Sequence, residues 1–139
     1  MRLDVYQEET AQIARYQSEV LADARKKLAS GEALSRLEQN GVLHALQVLV
    51  EYAIGKAKHL LKAAGQEIPI SAYDTFVSLA AIEQIQSEQL DDWNRAVGLR
   101  NRIVHDYMNI RMNVVLELVR DKQYYFIVEF LLRPITQTK

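Results

Sequence analysis

Apolar side chains recur every three or four positions along most of this chain. Ile13, Tyr16, Val20, Ala24 and Leu28 form one stripe of a helix over about 3–29. Ser30-Gly31 is its expected stop, with Lys26 and Lys27 in the last turn, where cations suit the helix dipole. Ser35, followed three residues later by Glu38, is a capping-box pattern that opens a second helix over about 35–64. Its apolar face runs Leu43, Leu46, Leu49, Val50, Ala53, Ala57, Leu60 and Leu61. Gly41 and Gly55 fall inside it, and Gly65 is placed to end it. Ile68-Pro69-Ile70 reads as a connector, because a proline disfavours helix in the residue before it. A short helix is expected over about 71–84, carrying Phe76, Leu79 and Ala80. Ser87 is the expected cap of a fourth helix running through Leu90, Trp93 and Val97. A last helix, about 111–133, carries Val114, Val115, Leu118 and Val119, then YYFIVEFLL, and Pro134 stops it. No strand-like alternation, repeat or low-complexity tract is present. The expected architecture is all-α: an up-and-down bundle of about five helices, one domain over residues 1–139. The last helix is apolar for longer than one core face needs, which predicts a second buried surface, most simply a homodimer interface.

Composition changes this picture little. Apolar residues make up 49 % and charged residues 25 %, with a net charge of −1, so charge alone does not bind this chain to nucleic acid. Any RNA contact must come from a local patch. The absence of cysteine excludes disulfides and thiolate metal sites and fits a reducing cytoplasm, the expected location. The N-terminal MRLDVYQEETAQIARYQ is charged and lacks the apolar region of a signal peptide. No stretch approaches the ~20 apolar residues of a membrane span.

The unusual stretch is GLRNRIVHDY, residues 98–107. It places Arg100, Arg102, His105 and Tyr107 close together. Between residues 93 and 111 there are four arginines (95, 100, 102 and 111) against one acid, Asp106. That is the local basic patch hidden by the net charge. A neutral imidazole can take the proton of a ribose 2′-OH, and a guanidinium can grip the scissile phosphate through two donors. DNA lacks that hydroxyl, so such a site selects RNA. On a straight helix, at ~100° per residue, Arg100 and Tyr107 nearly eclipse while His105 points roughly 140° from Arg100. Either the helix bends or frays near Gly98, or a second protomer completes the site. The bland readings are a histidine satisfied at an interface, an Asp106–arginine pair and a core tyrosine. His44 and Glu51 share a helix face, but two potential ligands do not make a metal site, and no metal is expected. No glycine-rich phosphate loop is present.

The run Arg100-Asn101-Arg102-Ile103-Val104-His105-Asp106-Tyr107 resembles the R-x4-H-x-Y signature of HEPN-domain proteins of the HepT toxin type. Val97-Gly98-Leu99 matches that family's lead-in to the arginine. Leu46-Gln47, Glu51, Ile54 and His59 resemble its second-helix pattern, and Asp74, Phe76 and Leu79 its D-x-F-x-x-L segment. The similarity spans about residues 40–120. The resemblance implies a helical homodimer whose composite cleft, lined by Arg100 and His105 of both protomers, acts as a metal-independent endoribonuclease. It implies the toxin of a type VII-like toxin–antitoxin pair. The partner would be an MntA-like nucleotidyltransferase antitoxin, which uses ATP to transfer AMP onto Tyr107. The chain itself would need no cofactor and bind neither DNA nor membrane. Asn101, Arg102 and Glu51 are candidate supporting contacts for RNA. One departure stands out: Ile54-Gly55 replaces the family's Ile-Asp, so any role of that carboxylate is in doubt, with Glu51 a substitute one turn earlier. That departure favours an alternative from another class, a non-catalytic module that presents nucleotide or substrate to a nucleotidyltransferase. The intact Arg100/His105 pair favours the enzyme.

Overall fold

The computed structural model describes residues 3–135 and contains, among them, no strand. There are six α-helices: α1 (Leu3–Ala29), α2 (Arg36–Ala63), α3 (Ala72–Ala81), α4 (Leu90–His105), α5 (Met112–Arg120) and α6 (Tyr125–Leu132). Short 3-10 turns, Ser87–Gln89 and Tyr107–Asn109, lead into and out of α4. The all-α class expected from the periodicity is what the chain adopts, with one helix more than expected.

The bundle is built around α2, which packs on α1, α3, α4 and α6. Its start is the capping box: the Glu38 amide donates to Ser35 Oγ at 3.1 Å, and the Ser35 amide to Glu38 Oε1 at 2.8 Å. Neither Gly41 nor Gly55 interrupts it. Leu46, Leu49, Val50, Ala53, Ala57 and Leu61 are buried along its length. Ser71 caps α3 in the same way, accepting from the Asp74 amide. Ser87 does not cap α4. It opens the 3-10 turn, its side chain caps nothing, and α4 begins three residues later with Asp91 and Asp92 in its first turn.

Four helices end in one geometry: a left-handed residue whose amide and successor amide reach back to the last turn. Gly31 and Gly65 supply it after α1 and α2, as their φ of 82° and 73° require. Glu83 (φ 61°) supplies it after α3, and Lys122 (φ 59°) after α5. The Lys122 amide donates to the Val119 carbonyl at 3.1 Å, and Gln123 to Leu118 at 3.0 Å. This break divides the single helix expected over 111–133 into α5 and α6, and lets the buried Tyr124 turn into the core. Glu83 likewise stops α3 at Ala81, short of the expected 84. A non-glycine residue in this conformation costs ~1–2 kcal/mol. Lys122→Gly is therefore expected to raise stability, by about 0.5–1 kcal/mol in a urea titration, since glycine's greater chain entropy offsets part of the gain.

Aromatic packing ties α3, α4 and α6 to one another. Phe76 stacks on Trp93 with ring centroids 4.3 Å apart, and Phe130 meets the Trp93 ring edge-on at 5.2 Å. In α6, Ile127, Val128, Phe130 and Leu131 are all buried within this one chain. Much of the run expected to supply a second surface thus packs in the chain's own core, while Tyr125 and Leu132 stay exposed. Among the described residues no helix is long and apolar enough to cross a membrane.

Candidate functional site

The motif lies at the C-terminal end of α4. This helix is continuous through Gly98 and terminates at His105, where Asp106 leaves helical geometry (φ −145°, ψ 44°) and hands the chain to the 3-10 turn. Gly98 therefore does not interrupt the helix. Arg100 is half-buried and faces α2: its Nε donates to Glu51 Oε2 at 3.1 Å, and its Nη2 lies 3.1 Å from the same oxygen. Gln47 Nε2, one turn earlier on α2, donates to that oxygen as well, at 3.2 Å. The remaining Nη1 donates to Asn101 Oδ1 at 3.1 Å. Glu51 thus fixes the rotation of the guanidinium through its Nε edge.

His105 occupies the last position of α4, is exposed, and makes no hydrogen bond or ion pair among the described residues. Tyr107 stands in the 3-10 turn, 48 % exposed, and so is not core. Its hydroxyl donates to Asn40 Oδ1 on α2. Asp106 does not pair with an arginine; its Oδ1 accepts from Asn109 Nδ2 at 2.6 Å. Glu51 and Asn40 lie eleven residues apart on α2, about 16 Å along its axis. The points that hold Arg100 and Tyr107 are therefore far apart, while His105 faces solvent between them. Within one chain no hydrogen bond joins Arg100, His105 and Tyr107 to one another among the described residues.

The basic patch is smaller than the linear count. Arg95 pairs with Asp92 and Arg100 with Glu51, carboxylates outside the window read in sequence. Arg102 and Arg111 remain exposed. Beside Arg100 a groove of about 560 Å³ runs between α2, the start of α3 and α4, with Lys58, Tyr73, Asn94 and Asn101 on its walls. Gly55 is not part of this face. A Cβ built there would stand 3.3 Å from the Tyr6 hydroxyl of α1. Tyr6 itself packs on His59, with centroids 4.1 Å apart. Burial lowers the His59 pKa, with Lys62 adding to it. Position 55 thus looks toward α1, while Glu51 reaches α4.

Asn40 escaped the sequence reading. It is 67 residues from Tyr107, and nothing in its local pattern marks it. Gln47 and Glu51 were visible only as parts of a helix pattern, and their convergence on Arg100 was not.

A six-helix bundle with R-x4-H-x-Y at the end of one helix defines a HEPN-type domain. The chain belongs to the ribonuclease HepT-like family, whose model matches residues 6–132. It is 34 % identical over 82 residues to the mRNA nuclease HepT of Shewanella oneidensis, covering 59 % of this chain and 62 % of that protein. The chain thus spans about three-fifths of that curated relative. Two solved structures share the fold. One is a toxin–antitoxin with AMP-PNP, at TM-score 0.76 and 21 % identity, covering 91 % of this chain and 97 % of that one. The other is the tri-AMPylated Shewanella oneidensis HEPN toxin in complex with MNT antitoxin, at TM-score 0.65 and 24 % identity, covering 86 % and 96 %.

Proposed function

We propose that this protein is a metal-independent endoribonuclease toxin that acts as a homodimer and is neutralised when a cognate nucleotidyltransferase transfers AMP from ATP to Tyr107. The observation that carries the reading is the arrangement at the end of α4: an oriented Arg100 and an exposed His105, with the phenol of Tyr107 accessible beside them. His105 takes the 2′-OH proton, and the 2′-oxygen attacks the adjacent phosphorus. The 5′-oxygen leaves, which yields a 2′,3′-cyclic phosphate. Arg100 stabilises the charge that develops on the phosphoryl oxygens. Arg100 and His105 lie five residues apart on a continuous helix and so point in different directions around α4; on this reading the cleft draws on two protomers. Asn101 and the exposed Arg102 lie on the RNA side. AMP on Tyr107 places a bulky anion where RNA phosphate would approach and repels it.

The non-catalytic alternative drew its support from Gly55. That position stands beside the Tyr6 hydroxyl of α1, and Glu51, one turn earlier, supplies the carboxylate that holds Arg100, which supports the enzyme reading. The test is expression of the chain alone and beside a nucleotidyltransferase of the MNT type. Growth arrest is expected alone. Co-expression is expected to relieve it and to add ~329 Da per AMP to the intact mass, located on Tyr107. Absence of arrest would move weight to the binding module. A chelator-sensitive cleavage leaving 3′-hydroxyl ends would remove the mechanism.

A further inference from the structure

The turn that follows His105 is held to the bundle at its far end by Ile110, which packs against the core, and otherwise by little. Met108 is 90 % exposed and Tyr107 48 %. The hydrogen bonds of residues 106–110 are otherwise local: Asp106 amide to Arg102 carbonyl, Asn109 amide to Asp106 carbonyl, Ile110 amide to Tyr107 carbonyl, and Asn109 Nδ2 to Asp106 Oδ1. Among the described residues the one hydrogen bond that reaches across the fold is the Tyr107 hydroxyl donating to Asn40 Oδ1. Asn40 lies in the second turn of α2, a helix fixed by its capping box and buried face. An exposed acceptor on a well-anchored helix thus holds the turn through a phenolic proton, beside the packing of Ile110 against the core. The last turn of α4 has orphan carbonyls of its own and frays unless the chain beyond it is held.

We infer that Asn40 is a positioning residue for the motif: it holds Tyr107 and, through the 106–110 turn, the His105 end of α4, and nucleotide transfer to Tyr107 undoes that hold. The second half rests on the reading of Tyr107 as the AMP acceptor. In that transfer the phenolic oxygen bonds to the α-phosphorus of a nucleoside triphosphate. The bond from that phosphorus to the pyrophosphate oxygen breaks, and pyrophosphate leaves. The phenolic proton passes to a base on the transferase or to solvent. The resulting ester oxygen carries no hydrogen, so it cannot donate to Asn40. Asn40 could then meet it only by turning its amide to donate from Nδ2 to a weak ester acceptor, so the bond given by the phenol is lost and the turn is held less firmly. Modification would act in two ways: by the bulk and charge of the added nucleotide, and by loosening the helix end that presents His105.

The test uses the full chain and four variants: Asn40→Ala, Tyr107→Phe, the double variant and Asn40→Asp. Backbone hydrogen exchange is followed by mass spectrometry on peptides covering 106–110, and cleavage is followed on a short synthetic RNA. Both single variants are expected to speed exchange in that segment about fivefold, the effect of one ordinary hydrogen bond, and to slow cleavage to a similar extent. The double variant is expected to go no further than either single, because both remove the same bond. Asn40→Asp keeps an acceptor oxygen and is expected to rescue both readouts, which a role in bulk packing alone would not produce. Protein modified by the transferase is expected to match Asn40→Ala in exchange. Unchanged exchange in Asn40→Ala, or additive effects in the double variant, overturns the role of Asn40. A parent chain that cuts no RNA overturns the nuclease reading, while the exchange result still decides the hold on the turn. Modification located elsewhere than Tyr107 overturns the second half together with the acceptor reading.

Discussion

Replacing His105 with alanine is expected to slow RNA cleavage by about 10²–10⁴-fold, the range a positioned general base supplies. Arg100→Ala is expected to lose about 10²–10³-fold, comparable to removing a donor aimed at transition-state charge. Neither change should unfold the protein. His105 is exposed and makes no hydrogen bond or ion pair among the described residues, and surface changes of that kind fall within about 0.5 kcal/mol. Arg100→Ala removes the partly exposed pair with Glu51, which contributes little on its own. The measurements are kcat/KM on a synthetic RNA and a urea titration of each variant. A DNA of the same sequence should stay intact, since it lacks the attacking hydroxyl. A mixing experiment then asks whether each cleft takes its arginine from one chain and its histidine from the other. Combining the two inactive variants under subunit exchange would restore one complete cleft in each mixed dimer. With half of the dimers mixed and one of two clefts intact, about a quarter of the parental rate should return. No recovery would mean that each protomer supplies both groups itself, or that the active species is not a dimer. Loss of less than tenfold in both single variants would sink the nuclease mechanism.

The parts of this fold legible in the sequence are those set by one residue's own chemistry. Ser35 with Glu38, Ser71, Gly31 and Gly65 each mark a helix end through an oxygen that accepts a backbone hydrogen or a backbone free to take positive φ. Glu83 and Lys122 perform the same turn with side chains that do not announce it. The sequence reading therefore ran α3 three residues too far and joined α5 to α6. The apolar excess of YYFIVEFLL was read as a surface in need of a partner. Ile127, Val128, Phe130 and Leu131 are the second half of a corner, buried from within the same chain where α6 packs on α1 and α2, while Tyr125 and Leu132 stay exposed. At the site, the linear motif was readable because its spacing lies along one helix. Its supports were not. Glu51 was named as a stand-in for a missing acid, whereas its carboxylate grips Arg100 from 49 residues away. Asn40 meets Tyr107 from still further. Those contacts follow from how α2 and α4 run past each other, which no local pattern encodes.

Lys56 is another residue the sequence disguises, because a lysine reads as surface. Its side chain is fully buried in the last third of α2, and its Nζ donates to the carbonyls of Phe130 at 2.7 Å, Leu131 at 3.4 Å and Arg133 at 2.5 Å. The cause lies in α6. The last carbonyls of a helix lack intrahelical donors, and Pro134, with no N–H, cannot supply the bond that Phe130 would otherwise accept. Lys56 closes that end, with Gln7 Nε2 also donating to the Leu131 carbonyl at 2.9 Å. A cation there also suits the negative end of the helix dipole. Removing it while leaving the carbonyls buried is expected to cost about 1–3 kcal/mol, so Lys56→Met should lower the urea midpoint accordingly although its volume is similar. Burial pulls the Lys56 ammonium down to about 7, and repulsion from Arg133 adds to that. The sign follows from proton counts. Above pH 7 the unfolded chain keeps this proton and the folded chain releases it, so stability rises with pH toward the ordinary lysine pKa, at up to about 1.4 kcal/mol per pH unit. Below pH 7 both states hold the proton and the slope vanishes. Unfolding free energies measured at pH 6, 7.5 and 9 for the parent and for Lys56→Met should therefore differ by an amount that grows with pH. A difference that is flat across that range would place the proton on Lys56 throughout, and the three carbonyls would then outweigh the burial.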